Sequence, residues 1–174
     1  MPLAIRTKRL VLRKPRLPDA PVIFRTYACD PKVTKYVTFK PHKNLKETKT
    51  FVKQSIAEYK LNRYTYAVES GDTGELMGNF AVHIDSFKAE IGYVLAGKYW
   101  GKGYATEAAA AVIRQLFKNR DIFRIWAVCD TANRASARVL TKAGMRYEGT
   151  LRRWIIHPNI SKHPRDCCCY AVTR

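Results

Sequence analysis

Apolar and basic residues alternate over residues 5–13, and this period of two predicts a half-exposed strand. Two prolines end the strand, and Asp19 can cap a helix that reaches residue 29. A second helix is predicted from Asn44 or Thr48 to residue 61, because apolar side chains recur there at helical spacing. The chain therefore begins with a strand and two helices.

The next three apolar runs predict strands, of which the first two form a hairpin. They cover residues 64–69, 75–84 and 89–95. A Gly-Asp-Thr-Gly sequence separates the first pair, and such a sequence is typical of a turn. Antiparallel pairing is expected here, since a short connection can join only antiparallel neighbours.

Strands and helices alternate in the second half of the chain. A glycine-rich loop leads into a helix over residues 104–118, whose apolar residues share one face. A strongly apolar strand over residues 122–129 follows, and then a helix that Asp130 or Asn133 can cap. Two closing strands complete the set, over residues 145–151 and 167–172.

The length of 174 residues favours a single domain over residues 1–174, and a hydrophobic content of 47% excludes global disorder. The order of the elements predicts a mixed α/β (α+β) fold. Its central, mostly antiparallel twisted sheet has about six to seven strands, with about four flanking helices. No apolar run is long enough to span a bilayer, so no membrane partner is expected.

Positive charge dominates the composition, with 32 Lys and Arg against 14 Asp and Glu, a net charge of +18. The excess is spread along the chain. Residues 6–16 are basic, residues 32–53 carry seven lysines against Glu47, and residues 134–165 are basic again. Such a surface attracts anions, which leaves nucleic acid, an acidic membrane, a phosphorylated cofactor and an acidic substrate as alternatives.

The five cysteines indicate a reducing compartment, so a cytoplasmic location is expected. Their number is odd, and their spacing forms no disulfide framework. A zinc set of His157, His163 and Cys167 is conceivable, but no Cys-x-x-Cys or paired-histidine spacing supports it. Burial of the cysteines as small apolar side chains is favoured, and no metal is expected.

The glycine-rich loop before residue 104 is the segment best suited to bind an anion. Gly101 and Gly103 allow close backbone approach, and the N–H groups at the start of the following helix face outward. Lys98 and Lys102 add positive charge. The loop matches neither common nucleotide-binding pattern, so an ordinary strand-to-helix turn remains the alternative.

The stretch E-I-G-Y-V-L-x-x-x-x-W-G-K-G-Y-A-T-E-A over residues 90–108 resembles the acetyl-CoA-binding motif of the GNAT N-acetyltransferase superfamily. It is most similar to the subgroup of ribosomal-protein N-terminal (alanine or serine) acetyltransferases. Residues 133–145 resemble that family's N-x-x-S-x-x-V-L-x-K-x-G-F motif, with Met145 in place of Phe. Similar residues at the start and end of the chain extend the resemblance to its whole length.

The resemblance implies a sheet whose middle strands splay apart to admit the pantetheine arm of acetyl-CoA. The Leu95 N–H would stabilise the oxyanion, and Asn133 would bind the arm as well as cap its helix. Arg138 would contact the 3′-phosphate, unless it only belongs to a solvated basic face. The implied cofactor-binding residues are Tyr93, Val94, Leu95, Lys98, Trp100, Gly101, Lys102, Gly103, Tyr104, Ala105, Thr106, Asn133, Ser136 and Arg138.

The implied reaction is direct attack of an amine on the thioester. Ser136 would protonate the leaving thiolate, and Tyr147 and Tyr104 are the alternative proton donors. If Ser136 is not the donor, its hydroxyl only contacts the local backbone. Glu90 is the first candidate for the general base, unless it is a structural carboxylate paired with a lysine or arginine. Asp166 is the second candidate. An α-amino group, with an ordinary pKa of about 7.7–8.0, needs no dedicated base.

The sequence thus predicts an acetyl-CoA-dependent N-acetyltransferase that acts on a primary amine, either a protein N-terminus or a small molecule. A basic module that binds RNA or the ribosome on the same fold is the alternative. The expected partners are acetyl-CoA, the amine acceptor and an acidic or ribosomal surface. The chain would be a monomer or a homodimer, and the sequence does not identify the acceptor.

Overall fold

One eight-stranded sheet organises the protein, and the computed structural model describes all residues 1–174. The strand order is β1-β2-β3-β4-β5-β6-β8-β7, and every neighbouring pair is antiparallel except β5 and β6. The strands are β1 (Ala4–Arg6), β2 (Leu10–Arg13), β3 (Arg63–Ser70), β4 (Leu76–Asp85), β5 (Lys88–Leu95), β6 (Arg124–Asp130), β7 (Arg146–Ile155) and β8 (Arg165–Thr173).

Four helical segments accompany the sheet, in agreement with the prediction. They are α1 (Ala20–Ile23), α2 (Leu45–Ala57), α3 (Tyr104–Leu116) and α4 (Arg134–Lys142). The predicted first helix is irregular, because α1 is preceded by a 3-10 turn and runs into a π-helical turn over Phe24–Ala28. None of the helices has both the length and the hydrophobicity that crossing a bilayer requires.

The sheet has one strand more than the six to seven predicted, because the strand predicted over residues 5–13 is a hairpin. Thr7 N–H donates to the Leu10 carbonyl at 2.9 Å and turns the chain between β1 and β2. Glu107 at the start of α3 holds this turn. Its carboxylate accepts hydrogen bonds from the Thr7 hydroxyl at 2.6 Å and the Arg9 N–H at 2.9 Å.

The helices pack in two pairs, α1 with α2 and α3 with α4. The first pair contacts β3 and β4, whereas α3 contacts β1, β2 and β5. The predicted apolar face of α3 is buried, including Ala109, Val112 and Leu116. Phe80 of β4 and Tyr66 of β3 are fully buried in the same continuous core. The packed helices therefore fix β4 and β5, the strands that border the site.

The middle of the sheet is splayed, as predicted. Lys88, Ala89 and Glu90 of β5 pair with Arg124, Ile125 and Trp126 of β6, and no pairs follow. Beyond this point β5 continues along β4 to Leu95, and β6 continues along β8 to Asp130. The two strands diverge toward their carboxyl ends and leave a gap in the sheet.

Candidate functional site

A cavity of about 320 Å³ lies at the gap between β5 and β6. The sheet contributes residues from β3 to β6, and α4 contributes Asn133 and Ser136 at its start. Tyr36 and Phe39 of the loop before α2, and His157 of the loop after β7, complete the wall. The cavity therefore collects groups from distant parts of the chain.

The backbone of β5 presents polar groups to the gap, of which the Leu95 carbonyl is bonded to Trp100 Nε1. Ala96 N–H donates to the Met77 carbonyl on the β4 side at 2.9 Å. Because backbone groups alternate along a strand, those of Val94 also face β4, whereas those of Tyr93 and Leu95 face the gap. The resemblance implies that the backbone of Tyr93, Val94 and Leu95 pairs with the pantetheine arm. This is corrected for Val94, which lines the cavity but whose backbone groups face β4.

The glycine-rich loop has the geometry of an anion site. Gly101 and Gly103 have φ values of 74° and 80°, which side chains other than glycine rarely adopt. Gly103 occupies the N-cap position of α3 and offers no side-chain cap. The N–H groups of Tyr104, Ala105 and Thr106 in the first turn are therefore left for an external acceptor.

Arg9 lies beside this loop, and the sequence reasoning did not identify it. Its Nη1 donates to the Lys102 carbonyl at 3.1 Å, and its guanidinium lies 4.4 Å from the centre of the Tyr104 ring. Glu107 fixes the side chain through a 2.7 Å bond to Nε. The Thr-x-Arg sequence at the start of the chain was the one feature that could have pointed to Arg9. Its contact with Glu107 is visible only in the folded structure.

Lys98 and Trp100 are oriented by neighbouring groups. The Lys98 ammonium forms an ion pair with Glu75, so less of its charge is available to a bound anion. Trp100 donates from Nε1 to the Leu95 carbonyl at 2.7 Å. This bond fixes the carboxyl end of β5, while 53% of the Trp100 surface remains exposed.

Ser136, Tyr93 and Asn133 form a connected group on the cavity wall. The Ser136 Oγ lies 2.8 Å from the Tyr93 hydroxyl. The Asn133 side chain caps α4, since its Oδ1 accepts the Ser136 N–H at 3.1 Å, and its Nδ2 donors stay unused. Burial raises the pKa of Tyr93 and raises that of neighbouring Cys129 to about 12, so both stay protonated at neutral pH.

Glu90 lies at the last β5–β6 pair and lines the cavity. Its carboxylate makes no ion pair and no side-chain hydrogen bond, and the charges that act on it are those of His83 and Arg63. Burial raises the pKa of Glu90, an effect that His83 and Arg63 partly oppose. A half-buried carboxylate with a raised pKa is typical of a group that exchanges protons.

The alternative acid and base residues lie away from the cavity. Asp166 accepts the Arg153 N–H at 2.8 Å and orders the irregular part of β7. The Tyr147 hydroxyl lies 2.8 Å from the Thr150 hydroxyl on the exposed edge of the sheet. Tyr104 stacks with Arg9 at the loop.

The histidines and cysteines near the end of the chain are not gathered as metal ligands. His157 Nε2 lies 3.9 Å from Cys167 Sγ, but no group of three histidine, cysteine, aspartate or glutamate side chains could hold a metal ion. Cys167 and Cys169 are buried, and Cys168 is partly buried. All five cysteines are free thiols.

The basic residues remain on the surface near the site. Arg138 of α4 is exposed and forms no ion pair. A second group, the lysine face, consists of exposed lysines on the loop before α2 and on α2 itself, the segment that supplies Tyr36 and Phe51 to the cavity wall. None of these lysines forms an ion pair. The lysine face comprises Lys32, Lys35, Lys40, Lys43, Lys46, Lys49 and Lys53.

The comparisons with known proteins agree with this geometry. The family model described as "Acetyltransferase (GNAT) domain" matches residues 9–146. The uncharacterized N-acetyltransferase YoaA of Bacillus subtilis is 31% identical over 174 residues, covering 98% of this chain and 96% of YoaA.

Solved structures share the fold over nearly the whole chain. A GNAT-family acetyltransferase from Bacillus anthracis is 31% identical, with a TM-score of 0.85 and 98% of each chain covered. RimL, a ribosomal L7/L12 α-N-protein acetyltransferase solved with coenzyme A, is 20% identical with a TM-score of 0.86, covering 98% of this chain and 97% of RimL. At that identity the likeness to RimL concerns the fold alone.

Proposed function

Because the chain belongs to the GNAT family of acetyltransferases, we propose that it transfers the acetyl group of acetyl-CoA directly to a primary amine. The observation that carries this proposal is the gap between β5 and β6, which ends at an uncapped helix N-terminus with two positive-φ glycines. A long thioester with a pyrophosphate needs both features, an extended slot and an anion site.

In this proposal the glycine-rich loop binds the pyrophosphate through the N–H groups from Gly101 to Thr106, and Arg9 adds positive charge beside it. The backbone groups of Tyr93 then pair with the pantetheine amides, while the Leu95 carbonyl stays bonded to Trp100 and the Leu95 N–H remains free for the thioester. Asn133 donates from Nδ2 to the same arm while its Oδ1 caps α4. Arg138 lies one turn further along α4 and contacts the 3′-phosphate.

The reaction forms a C–N bond and breaks the C–S bond of the thioester. The Leu95 N–H, which faces the gap, stabilises the oxyanion that develops on the carbonyl. Glu90 takes a proton from the amine through a water molecule, and Ser136 gives its own proton to the thiolate. Solvent then removes the proton from Glu90 and restores the one that Ser136 has lost. Tyr93 orients Ser136 by the bond between their hydroxyls, so that the Ser136 proton can point at sulfur.

Replacing Glu90 by Gln should lower kcat/KM for the amine by about 100-fold, in the range for loss of a general base. In the parent protein, kcat/KM should fall as pH decreases through the raised pKa of Glu90, because only the carboxylate accepts a proton. Glu90→Gln should remove this acidic limb. The measurement is kcat/KM against pH for both proteins.

Thermal unfolding provides the control for Glu90→Gln. A pKa raised by burial means that folding disfavours the ionised form of Glu90. At pH 7, Glu90→Gln, whose side chain is uncharged, should therefore unfold at the same temperature as the parent protein or at a higher one. The difference should vanish below the ordinary pKa of glutamate, where both states are protonated. A less stable variant at neutral pH, with an unchanged pH–rate profile, would assign Glu90 a structural role instead.

Replacing Asn133 by Ala should weaken both CoA binding and the fold. Loss of the cap costs about 1 kcal/mol, and loss of one hydrogen bond weakens binding by about threefold to tenfold. Asn133→Ser should separate the effects, since serine caps a helix but has no amide N–H to donate. Calorimetric titration with CoA measures the affinity, and thermal unfolding measures the stability. If Asn133→Ser binds CoA as tightly as the parent protein, the only role left for Asn133 is to cap α4.

The lysine face supports an acidic acceptor, because its charges are unpaired and the same segment supplies Tyr36 and Phe51 to the cavity wall. We expect the peptide Ser-Ala-Glu-Glu-Glu-Glu to exceed Ser-Ala-Gln-Gln-Gln-Gln in kcat/KM by about tenfold at low salt, and to lose this advantage at high salt. Changing Lys46, Lys49 and Lys53 to Glu should abolish the preference. Changing Arg114, Lys118 and Arg120 to Glu alters the net charge equally and should preserve it.

A screen with acetyl-CoA tests the proposed function, with release of free CoA thiol as the signal. The acceptors are N-terminal serine and alanine peptides, alkylamines and amino acids. Acetylation of one class that depends on Glu90 and Ser136 supports the proposal. If no acceptor is turned over and the protein instead binds RNA in a salt-dependent way that Gly103→Glu leaves unchanged, the alternative of a binding module holds.

The five free thiols favour a reducing location, and we place this activity in the cytoplasm.

A further inference from the structure

His157 is a titratable side chain of the cavity wall that the steps above do not use. It follows β7, and 3% of its surface is exposed. Its Nε2 lies 3.8 Å from Asp130 Oδ2, whereas Nδ1 is buried without a hydrogen-bond partner. Burying a polar nitrogen without a partner is costly, and a bound molecule that donates to Nδ1 would remove this cost.

Asp130 favours a proton on the nitrogen of His157 that faces it. Burial would raise the pKa of Asp130, but the Arg165 guanidinium, with Nε 2.5 Å from Oδ2, and the Ala132 N–H lower it below its usual range. The ionised carboxylate favours a proton on the facing Nε2. In the neutral imidazole with this tautomer, Nδ1 has only its lone pair, so it accepts a hydrogen bond and does not donate one.

The other groups around His157 are consistent with this tautomer. Cys167 of β8 lies 3.9 Å from Nε2, and burial raises the pKa of its thiol to about 11, so it is neutral. The Tyr36 ring meets the imidazole edge-on, with 6.4 Å between the ring centres. Neither group supplies a donor to Nδ1. The surroundings of His157 therefore contain one charged pair, Asp130 with Arg165.

The loop that carries His157 is held in place by its backbone and by a neighbouring asparagine. The His157 carbonyl accepts the N–H groups of Ile160 at 2.9 Å and Ser161 at 3.0 Å. Asn159 donates to the Thr34 carbonyl at 2.6 Å and to the Phe39 carbonyl at 2.8 Å. These bonds join the loops after β7 and before α2, so the imidazole belongs to a rigid wall.

We propose that His157 binds the acceptor, with Nδ1 accepting a hydrogen bond from the amine that becomes acetylated. This inference rests on the proposed function, because it concerns the acceptor side of the same cavity. A neutral primary amine has two N–H groups and one lone pair. When one N–H donates to the water held by Glu90 and the other to His157, the lone pair is directed at the thioester carbonyl.

Two substitutions at this position separate a hydrogen bond from simple packing. The Oδ1 of Asn can occupy the place of Nδ1, so His157→Asn keeps an acceptor there, whereas His157→Leu fills the space without one. With Ser-Ala-Glu-Glu-Glu-Glu as the acceptor, His157→Leu should raise the peptide KM by about tenfold, and His157→Asn should stay within about threefold of the parent. Calorimetric titration with acetyl-CoA should give the same affinity for all three proteins. Equal KM values in the leucine variant and the parent, or equal losses in both variants, would overturn the proposal.

The tautomer gives a test that needs no acceptor and does not depend on the proposed function. Nitrogen-15 NMR of the imidazoles, with the His157 signals identified by their absence in His157→Asn, should show a protonated Nε2 and an unprotonated Nδ1. A proton on Nδ1 would make that atom a donor and would contradict the proposal, even if the protein proves to be an active acetyltransferase. If instead no acceptor is turned over and the predicted tautomer is found, the proposed function fails separately.

Discussion

Replacing Gly103 by Glu should abolish measurable acetyl-CoA binding while the fold survives. Gly103 has a φ of 80°, and its position at the start of α3 places any side chain beside the proposed pyrophosphate site. A carboxylate about 6 Å from a phosphate charge costs about 3 kcal/mol at the effective dielectric constant of a protein surface, which corresponds to about 100-fold in affinity. Backbone strain at positive φ adds a further loss. Calorimetric titration with acetyl-CoA measures the effect.

Gly103→Gln is the matched control for this substitution. It has the same backbone strain and nearly the same size as Gly103→Glu, but no charge. The glutamine variant should keep measurable acetyl-CoA binding, at least about 100-fold tighter than any binding that the glutamate variant retains, and added salt should bring the two variants closer together. Equal affinities in the two variants would show that no phosphate lies near this position.

Replacing Ser136 by Ala should lower kcat by at least about 100-fold with little change in the KM for acetyl-CoA, as for a general acid used only after binding. The hydroxyl lies on the cavity wall near the start of α4 and bonds to Tyr93, while the cap on the Ser136 N–H comes from Asn133. The substitution therefore removes one oxygen and leaves the backbone contacts in place. Steady-state kinetics with the best acceptor of the screen give both constants.

Tyr93→Phe is the informative companion of this variant. If Tyr93 only orients Ser136, its loss should cost less than the loss of Ser136, and the double variant should be no slower than Ser136→Ala. If Tyr93→Phe is slower than Ser136→Ala, the tyrosine is the proton donor and the assignment of Ser136 is wrong. An unchanged kcat in Ser136→Ala would remove the serine from the mechanism.

Local patterns predicted the elements of this fold well, because each pattern acts through near neighbours. The period-2 stretches became strands, Asn44 and Asn133 cap helices, and Gly101 and Gly103 have positive φ. The splay between β5 and β6 was predicted from resemblance alone. It depends on how β8 draws β6 away from β5, and no local pattern encodes that pairing.

Three features could not be predicted from the sequence, because each depends on contacts between residues that are distant in the chain. The turn that divides the first strand is held by Glu107, about a hundred positions further along the chain. The same contact brings Arg9 to the glycine-rich loop, the proposed anion site. Asp130, read only as a possible helix cap, binds Arg165 and faces His157. These charged groups carry no spacing signal, since their partners come from separate strands and loops.

The proposed function depends on one binding mode, in which acetyl-CoA lies in the gap between β5 and β6 with its pyrophosphate at the start of α3. Calorimetric titration of the parent protein with acetyl-CoA tests this binding mode. The titration is done at two temperatures, so that a binding enthalpy of zero at one temperature cannot hide binding. We predict a saturable isotherm with one site per chain, which Gly103→Glu abolishes and His157→Asn leaves unchanged. No saturable heat at either temperature, or equal binding by Gly103→Glu and the parent, would contradict this binding mode.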